Sequence, residues 1–193
     1  MELENELYGF VRRKIDLLDA ESSWARAMCA KLRRGIGKTP GELPELWEIT
    51  LSDAPSGWDG KNGVASFQQN AVHTALTLYA LHRQGKNSSM NSDEGDSLGG
   101  AAARLVAPDG SNLEAVRRRF NSVVTATGFL ELAHHARGVV QLLKADDIKL
   151  DYPRFAKDLY YYQFLSRTNE VKLHWGQDFY GVLGKVKDRE GDN

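Results

Sequence analysis

The stretch VASFQQNAVHTALTLYALH, residues 64–82, decides the fold. Val64, Phe67, Ala71, Ala75, Leu78 and Leu81 recur every three or four residues, and this run reads as a long, mostly buried helix stopped at Gly85. The same period extends upstream and downstream. Before it, Leu7, Phe10, Val11, Leu17 and Leu18 mark a first helix, and Asp19 to Ser23 supply caps for a second that runs from Trp24 to about Ile36. Gly35, Gly37, Pro40 and Gly41 end that helix, and a short one carrying Leu46 and Trp47 follows from Pro44 to Leu51. After it, Ser97 caps a helix through Leu105. Further apolar stripes fall at Leu113, Val116, Phe120, Val123 and Val124, and at Phe129, Ala133, Ala136, Val140 and Leu143. Pro153 sits in the first turn of a helix capped by Asp151 or Tyr152. The alternation Val171-Lys172-Leu173-His174 predicts an extended segment before a last helix from Trp175.

The fold class expected is therefore all-α, a two-lobed helical bundle. Residues 1–85 form an N-terminal lobe and 97–184 a C-terminal lobe; the Ser-, Asn-, Gly- and acid-rich segment 86–96 reads as a flexible linker and 185–193 as a disordered tail. A chain of 193 residues can bury a sizeable core without staples. The single cysteine, Cys29, lies in an apolar stripe and has no partner for an internal disulfide, which fits a reducing compartment. The acidic start lacks the basic flank and apolar run of a signal peptide, and no stretch approaches the ~20 apolar residues of a membrane span, so a cytoplasmic protein without a membrane partner is expected. With a net charge of -1, only local clustering can argue for a polyanionic ligand.

Several motifs that suggest catalysis fail on mechanics. Gly35-Ile36-Gly37-Lys38-Thr39 ends like a phosphate-binding loop, but Leu32 stands where that loop needs glycine, a helix precedes it and Pro40-Gly41 follows. His134 and His135 are neighbours on a helix, about 100° apart, and cannot face one ion together. Glu131 and His135 share a face as an ordinary surface pair. His73, His82 and His174 have no partner in register, and no serine or cysteine sits in a nucleophile context. Tyr160, Tyr161 and Tyr162 span about 200° of helix, which favours core packing over a stacking platform. No catalytic residue, metal site or cofactor is expected; a metal-dependent hydrolase built on His134 or His135 is the remotest alternative.

The positive signal is basic. On the second helix Arg26, Lys31, Arg33, Arg34 and Lys38 occur with no acid between the first and last. Lys31, Arg33 and Arg34 share an arc with Arg26, opposite Trp24, Met28, Cys29, Leu32 and Ile36. A second cluster follows: Arg117, Arg118 and Arg119 precede an inward Phe120, and the next helix carries Arg137 and Lys144 with His134 and Gln141 nearby. Arginine-rich faces suit phosphate because the guanidinium fork matches its oxygens.

Six short landmarks stand in order along the chain: Lys31-Leu32-Arg33-Arg34 before a Pro-rich step to Trp47; Ser97-Leu98-Gly99; Arg118-Arg119-Phe120; His134-His135-Ala136-Arg137-Gly138-Val139-Val140; Leu150-Asp151-Tyr152-Pro153; and Trp175-Gly176-Gln177-Asp178-Phe179-Tyr180. Together they resemble the CasB small subunits of the type I-E CRISPR surveillance complex, Cascade. The resemblance implies a non-catalytic, two-lobed helical subunit, present as two copies in a crRNA-guided complex. There it contacts other Cascade subunits and steadies crRNA, target DNA and the displaced single strand of the R-loop. It assigns nucleic-acid contact to Arg33, Arg34, Arg118, Arg119 and Arg137, and more weakly to Lys31, Arg104 and Lys157. The competing reading is a helical scaffold or adaptor whose basic faces bind acidic protein surfaces.

Overall fold

The long apolar run builds the centre of the molecule. In the computed structural model, which describes the backbone of residues 2–191 and the side chains of residues 3–185, it forms α4 (Phe67–His82). Ser66 opens α4 with a reciprocal cap: its hydroxyl accepts from the Gln69 N–H while the Gln69 side chain accepts from the Ser66 N–H. Every residue from Ala71 to His82 is buried, as expected of a helix apolar on all sides. Val64, by contrast, is 69% exposed and belongs to the turn before the cap.

Neighbours from both halves of the chain sheathe α4. They are α1 (Glu2–Asp19), α2 (Ser23–Arg34), the short α3 (Trp47–Thr50) entered through a 3-10 turn at Pro44–Leu46, α7 (Phe129–Ala145) and α8 (Tyr152–Tyr162). α8 also packs along α1. Outside this layer, α5 (Leu98–Ala103) lies on α9 (Thr168–Gly191), and α6 (Leu113–Val124) pairs with α7. One continuous core runs through all of it, so residues 1–85 and 97–184 share an interior rather than forming separately cored lobes. Among the described residues there are nine α-helices and no strand, and no helix is long and apolar enough to cross a membrane.

Three sequence expectations are corrected. Segment 86–96 is not a free linker: Met90, Asn91 and Ser92 are buried. The Ser92 N–H donates to Leu150 O at 3.0 Å, the Leu150 N–H to Met90 O at 3.2 Å and the Asp151 N–H to Asp96 O at 3.2 Å. Polar composition signals disorder only where no distant backbone satisfies the segment, and here residues 150–151 do. The 171–174 stretch is also not extended. It lies inside α9, because Val171, Trp175 and Phe179 form an i, i+4, i+8 stripe buried on one face. Residues 185–191 of the disordered tail expected at 185–193 likewise continue α9, and residues 192–193 lie outside the described residues.

Candidate nucleic-acid interface

α2 starts at Ser22, whose hydroxyl accepts from the Ala25 N–H at 3.0 Å, and buries Ala25, Met28, Cys29 and Leu32. Burial pushes the Cys29 thiol up, away from thiolate chemistry. With that stripe inward, Arg26 and Arg34 are exposed and Lys31 and Arg33 half-buried. Arg34 bonds Glu45 at 2.8 Å, an exposed pair of the kind worth ~0–1 kcal/mol and so readily exchanged. Arg33 lines a cavity of about 310 Å³ with Arg26, Arg83 and Lys86 over a floor that includes Cys29 and Ala80. Arg83 is tied to Asp19 and Lys86 to Asp147.

The basic tip after α2 is a helix stop. A Cβ on Gly35 would lie 2.6 Å from a Leu46 methyl, and Gly37 adopts φ 78°. His73, buried on α4 and held neutral by that burial, has Nε2 3.1 Å from Gly35 O. Because a carbonyl only accepts, Nε2 carries the proton, and Nδ1 is left without a partner. Lys38 leaves this anchored loop exposed to solvent.

On the other side, Phe120 stacks on Phe179 with centroids 4.4 Å apart and rings 3° from parallel, which turns Arg118 and Arg119 outward. Arg117 is instead engaged by Glu114. Arg118 lies in an open depression with Asn121, Ser122 and Thr125. Pairing of α6 with α7 brings Arg119 beside His134, Arg137 and Gln141 around a cleft of about 240 Å³. His134 and Arg137 also line a second cavity, of about 250 Å³, opposite Lys38 and above His73, Thr74 and Thr77 of α4. Arg119, Arg137 and Lys38 thus belong to two adjoining hollows. Among the described residues, none of the three is within ion-pair distance of a carboxylate.

Arg33 does not line the hollow of Arg137, but the two surfaces are linked. Lys144, two turns along α7 from Arg137 and ~10.5 Å further on its axis, donates to Gln84 at 3.0 Å, and Gln84 borders the Arg33 cavity. The remaining sequence candidates stand apart. Arg104 bonds Asp96 at 2.8 Å in a depression that also holds Asp93, Glu94 and Asp147, surroundings that repel phosphate. Lys157 lies on α8 facing α1, 4.0 Å from Glu4. Spacing alone gave no sign of Arg83 and Lys86, which reach the Arg33 cavity from beyond α4. Lys38 was visible as part of the basic run, but its approach to α7 was not.

The other motifs have structural partners. Glu131 accepts from both the N–H and the hydroxyl of Thr127 at 2.8 Å each, which lowers its carboxyl below the usual range, and His135 lies 3.8 Å from it. Tyr160 and Tyr162 are buried, the Tyr162 hydroxyl donates to Ala126 O, and the Arg167 guanidinium covers Tyr161 at 3.8 Å. Ser97-Leu98-Gly99 and Trp175 meet across α5 and α9, where Gly99 lies against the Trp175 backbone.

Comparison with known proteins bears on the family and the fold. The family model of CRISPR-associated protein Cse2 matches residues 28–180. CasB from Thermobifida fusca is 31% identical, with 93% of this chain and 98% of that one covered and a TM-score of 0.73. A Cse2-family protein from Thermus thermophilus is 22% identical over 92% and 97% of the two chains, with a TM-score of 0.65. A chain of a CRISPR RNA-guided surveillance complex shares the fold at 19% identity, with coverage of 97% and 98% and a TM-score of 0.73. No curated protein matches the sequence. The family match spans most of the chain, from within α2 into α9, and the protein belongs to the CRISPR-associated Cse2 (CasB) family.

Proposed function

We propose that this chain is the non-catalytic small subunit of a crRNA-guided type I-E Cascade complex. It grips nucleic-acid backbone without reading sequence, and so steadies crRNA, target DNA and the displaced strand of the R-loop beside other Cascade subunits and a second copy of itself. The observation that carries the reading is the row of cations Lys38, Arg137 and Arg119, unpaired among the described residues, along two adjoining hollows and extended by Lys144 towards Arg33. Arg118 on α6 and Lys31 and Arg34 on α2 are further candidates outside that row; Arg104 and Lys157, each beside carboxylates, are the weakest.

An almost neutral protein with about five phosphate contacts binds a strand weakly alone, with Kd of roughly 10⁻⁴ to 10⁻⁶ M at physiological salt. Held by neighbouring subunits, the same face meets the strand at an effective concentration of order mM and is largely occupied. Because R-loop exchange is close to balanced in energy, modest backbone contact suffices to keep it open.

Single-strand binding as a function of salt tests this. Five contacts give a log–log slope of about -3.5, and Arg119→Glu with Arg137→Glu flattens it by roughly 1.4. Binding that ignores salt would overturn the proposal. The Arg34–Glu45 pair shows that this face also accepts a carboxylate, which favours the adaptor as second reading. In that case Arg33→Glu with Arg34→Glu blocks assembly of the purified complex, whereas a phosphate-binding face leaves assembly intact and shortens R-loop lifetime.

A further inference from the structure

The hollow between loop 35–40, α4 and α7 has features that a phosphate grip does not need. Phosphate is held by cations and by N–H and O–H donors. This site is instead a concavity of about 250 Å³ walled by Ile36, Leu78, Phe129 and Leu130, with its two long cations, Lys38 and Arg137, exposed and therefore at the mouth. A phosphate pushed into such a floor would lose its water without replacement. A planar heterocycle has the opposite needs, apolar contact on its faces and a few polar partners at its edges. The hollow offers the Thr74 hydroxyl, the Asn70 side chain and the wall formed by His73, whose Nδ1 has no partner. Its volume falls below the ~300 Å³ at which sites for drug-sized ligands begin, which suits one ring system and not a longer ligand.

Resting on the nucleic-acid reading above, we infer that this hollow takes one unstacked base of a single strand, its flanking phosphates lying on Lys38 and Arg137. Selection among bases is not required, since every base has an apolar face. The contact would fix the register of a strand that backbone attraction alone leaves free to slide.

Two measurements on the full-length protein test it. In methyl NMR, added deoxyadenosine monophosphate should produce ring-current shifts at Ile36, Thr74, Thr77 and Leu78; shifts confined to other methyls, or none, overturn the inference. In binding assays at equal salt, a fully abasic strand should bind on the order of ten-fold more weakly than the intact strand. Ala133→Leu, which fills the hollow without changing charge, should erase that difference; equal affinity of the two strands for the unaltered protein overturns the inference. Salt-dependent binding that persists without discrimination removes the base site and leaves the backbone reading standing. Loss of salt dependence for both strands removes the backbone reading itself. Should Ala133→Leu fail to fold, the methyl shifts of the unaltered protein still decide.

Discussion

Gly99 has only hydrogen where any other residue places a Cβ, and a Cβ there would lie 1.9 Å from Trp175 O. The clash is with backbone, so no rotamer change relieves it and α5 would have to lift from α9. Gly99→Ala should therefore cost about 1–3 kcal/mol despite the better helix propensity of alanine, whereas Gly100→Ala, whose nearest neighbour would be 3.8 Å away, should be neutral or slightly stabilising; urea midpoints of the two variants check this. Asp158 carries a different constraint. Burial raises its carboxyl to about 6, although it accepts from Trp175 Nε1 at 2.6 Å. Between about pH 4 and 6 the folded chain then holds a proton that the unfolded chain has released, so stability falls as pH rises through that window and levels off above it. Asp158→Asn keeps the acceptor and removes the charge, and should gain on the unaltered protein by up to about 3 kcal/mol from pH 4 to pH 6. A stability difference independent of pH would show that this carboxyl is not desolvated.

At the scale of elements, the segment before α5 acts as a strap. The Asn91 side chain accepts from the Tyr152 N–H at the start of α8 at 3.0 Å and donates to Ser92 O at 3.2 Å; Ser89 meets the Tyr79 hydroxyl at 3.2 Å on α4. Asn91→Ala leaves a buried N–H unpaired and should cost about 1–3 kcal/mol, with faster hydrogen exchange at Ser92, Leu150 and Asp151 rather than throughout the chain. The α6–α7 pair and the loop after α2 show how packing aims the charge. Each basic side chain is aimed by an apolar neighbour that is locked in place: Phe120 against Phe179 behind Arg119, and Gly35 against Leu46 ahead of Lys38.

For the whole molecule, α4 is covered from both sides of the chain, and no boundary of solvent separates residues 1–85 from 97–184. Denaturation by urea should accordingly be one cooperative transition, with far-UV and near-UV circular dichroism coinciding; two separated transitions would mean independently stable lobes. Sharing a core also bears on the proposed function. Because α2 and α7 both pack on α4, their basic residues are carried by one packed body, and a strand bound across them as proposed would not have to order two bodies first.

Helix identity was legible in the sequence because its causes are local: the 3.6-residue period of apolar side chains, caps at Ser22, Ser97 and Asp151, and Pro153 in a first turn. The two basic runs were legible for the same reason. Period alone misled at Val171, where a four-residue alternation is too short to tell a strand from a helix whose next anchors are Trp175 and Phe179. Composition misled at Met90 to Ser92, whose hydrogen-bond partners lie about sixty residues away. Which cations are free and which are spent on carboxylates also depended on distant segments, as Arg83 beside Asp19 and Lys157 beside Glu4 show. The sequence thus determined that the protein is helical and where its cations cluster. Only the tertiary structure brought Lys38 to Arg137 and hollowed an apolar cavity between them, because that meeting requires two helices far apart in the chain to pack on a third.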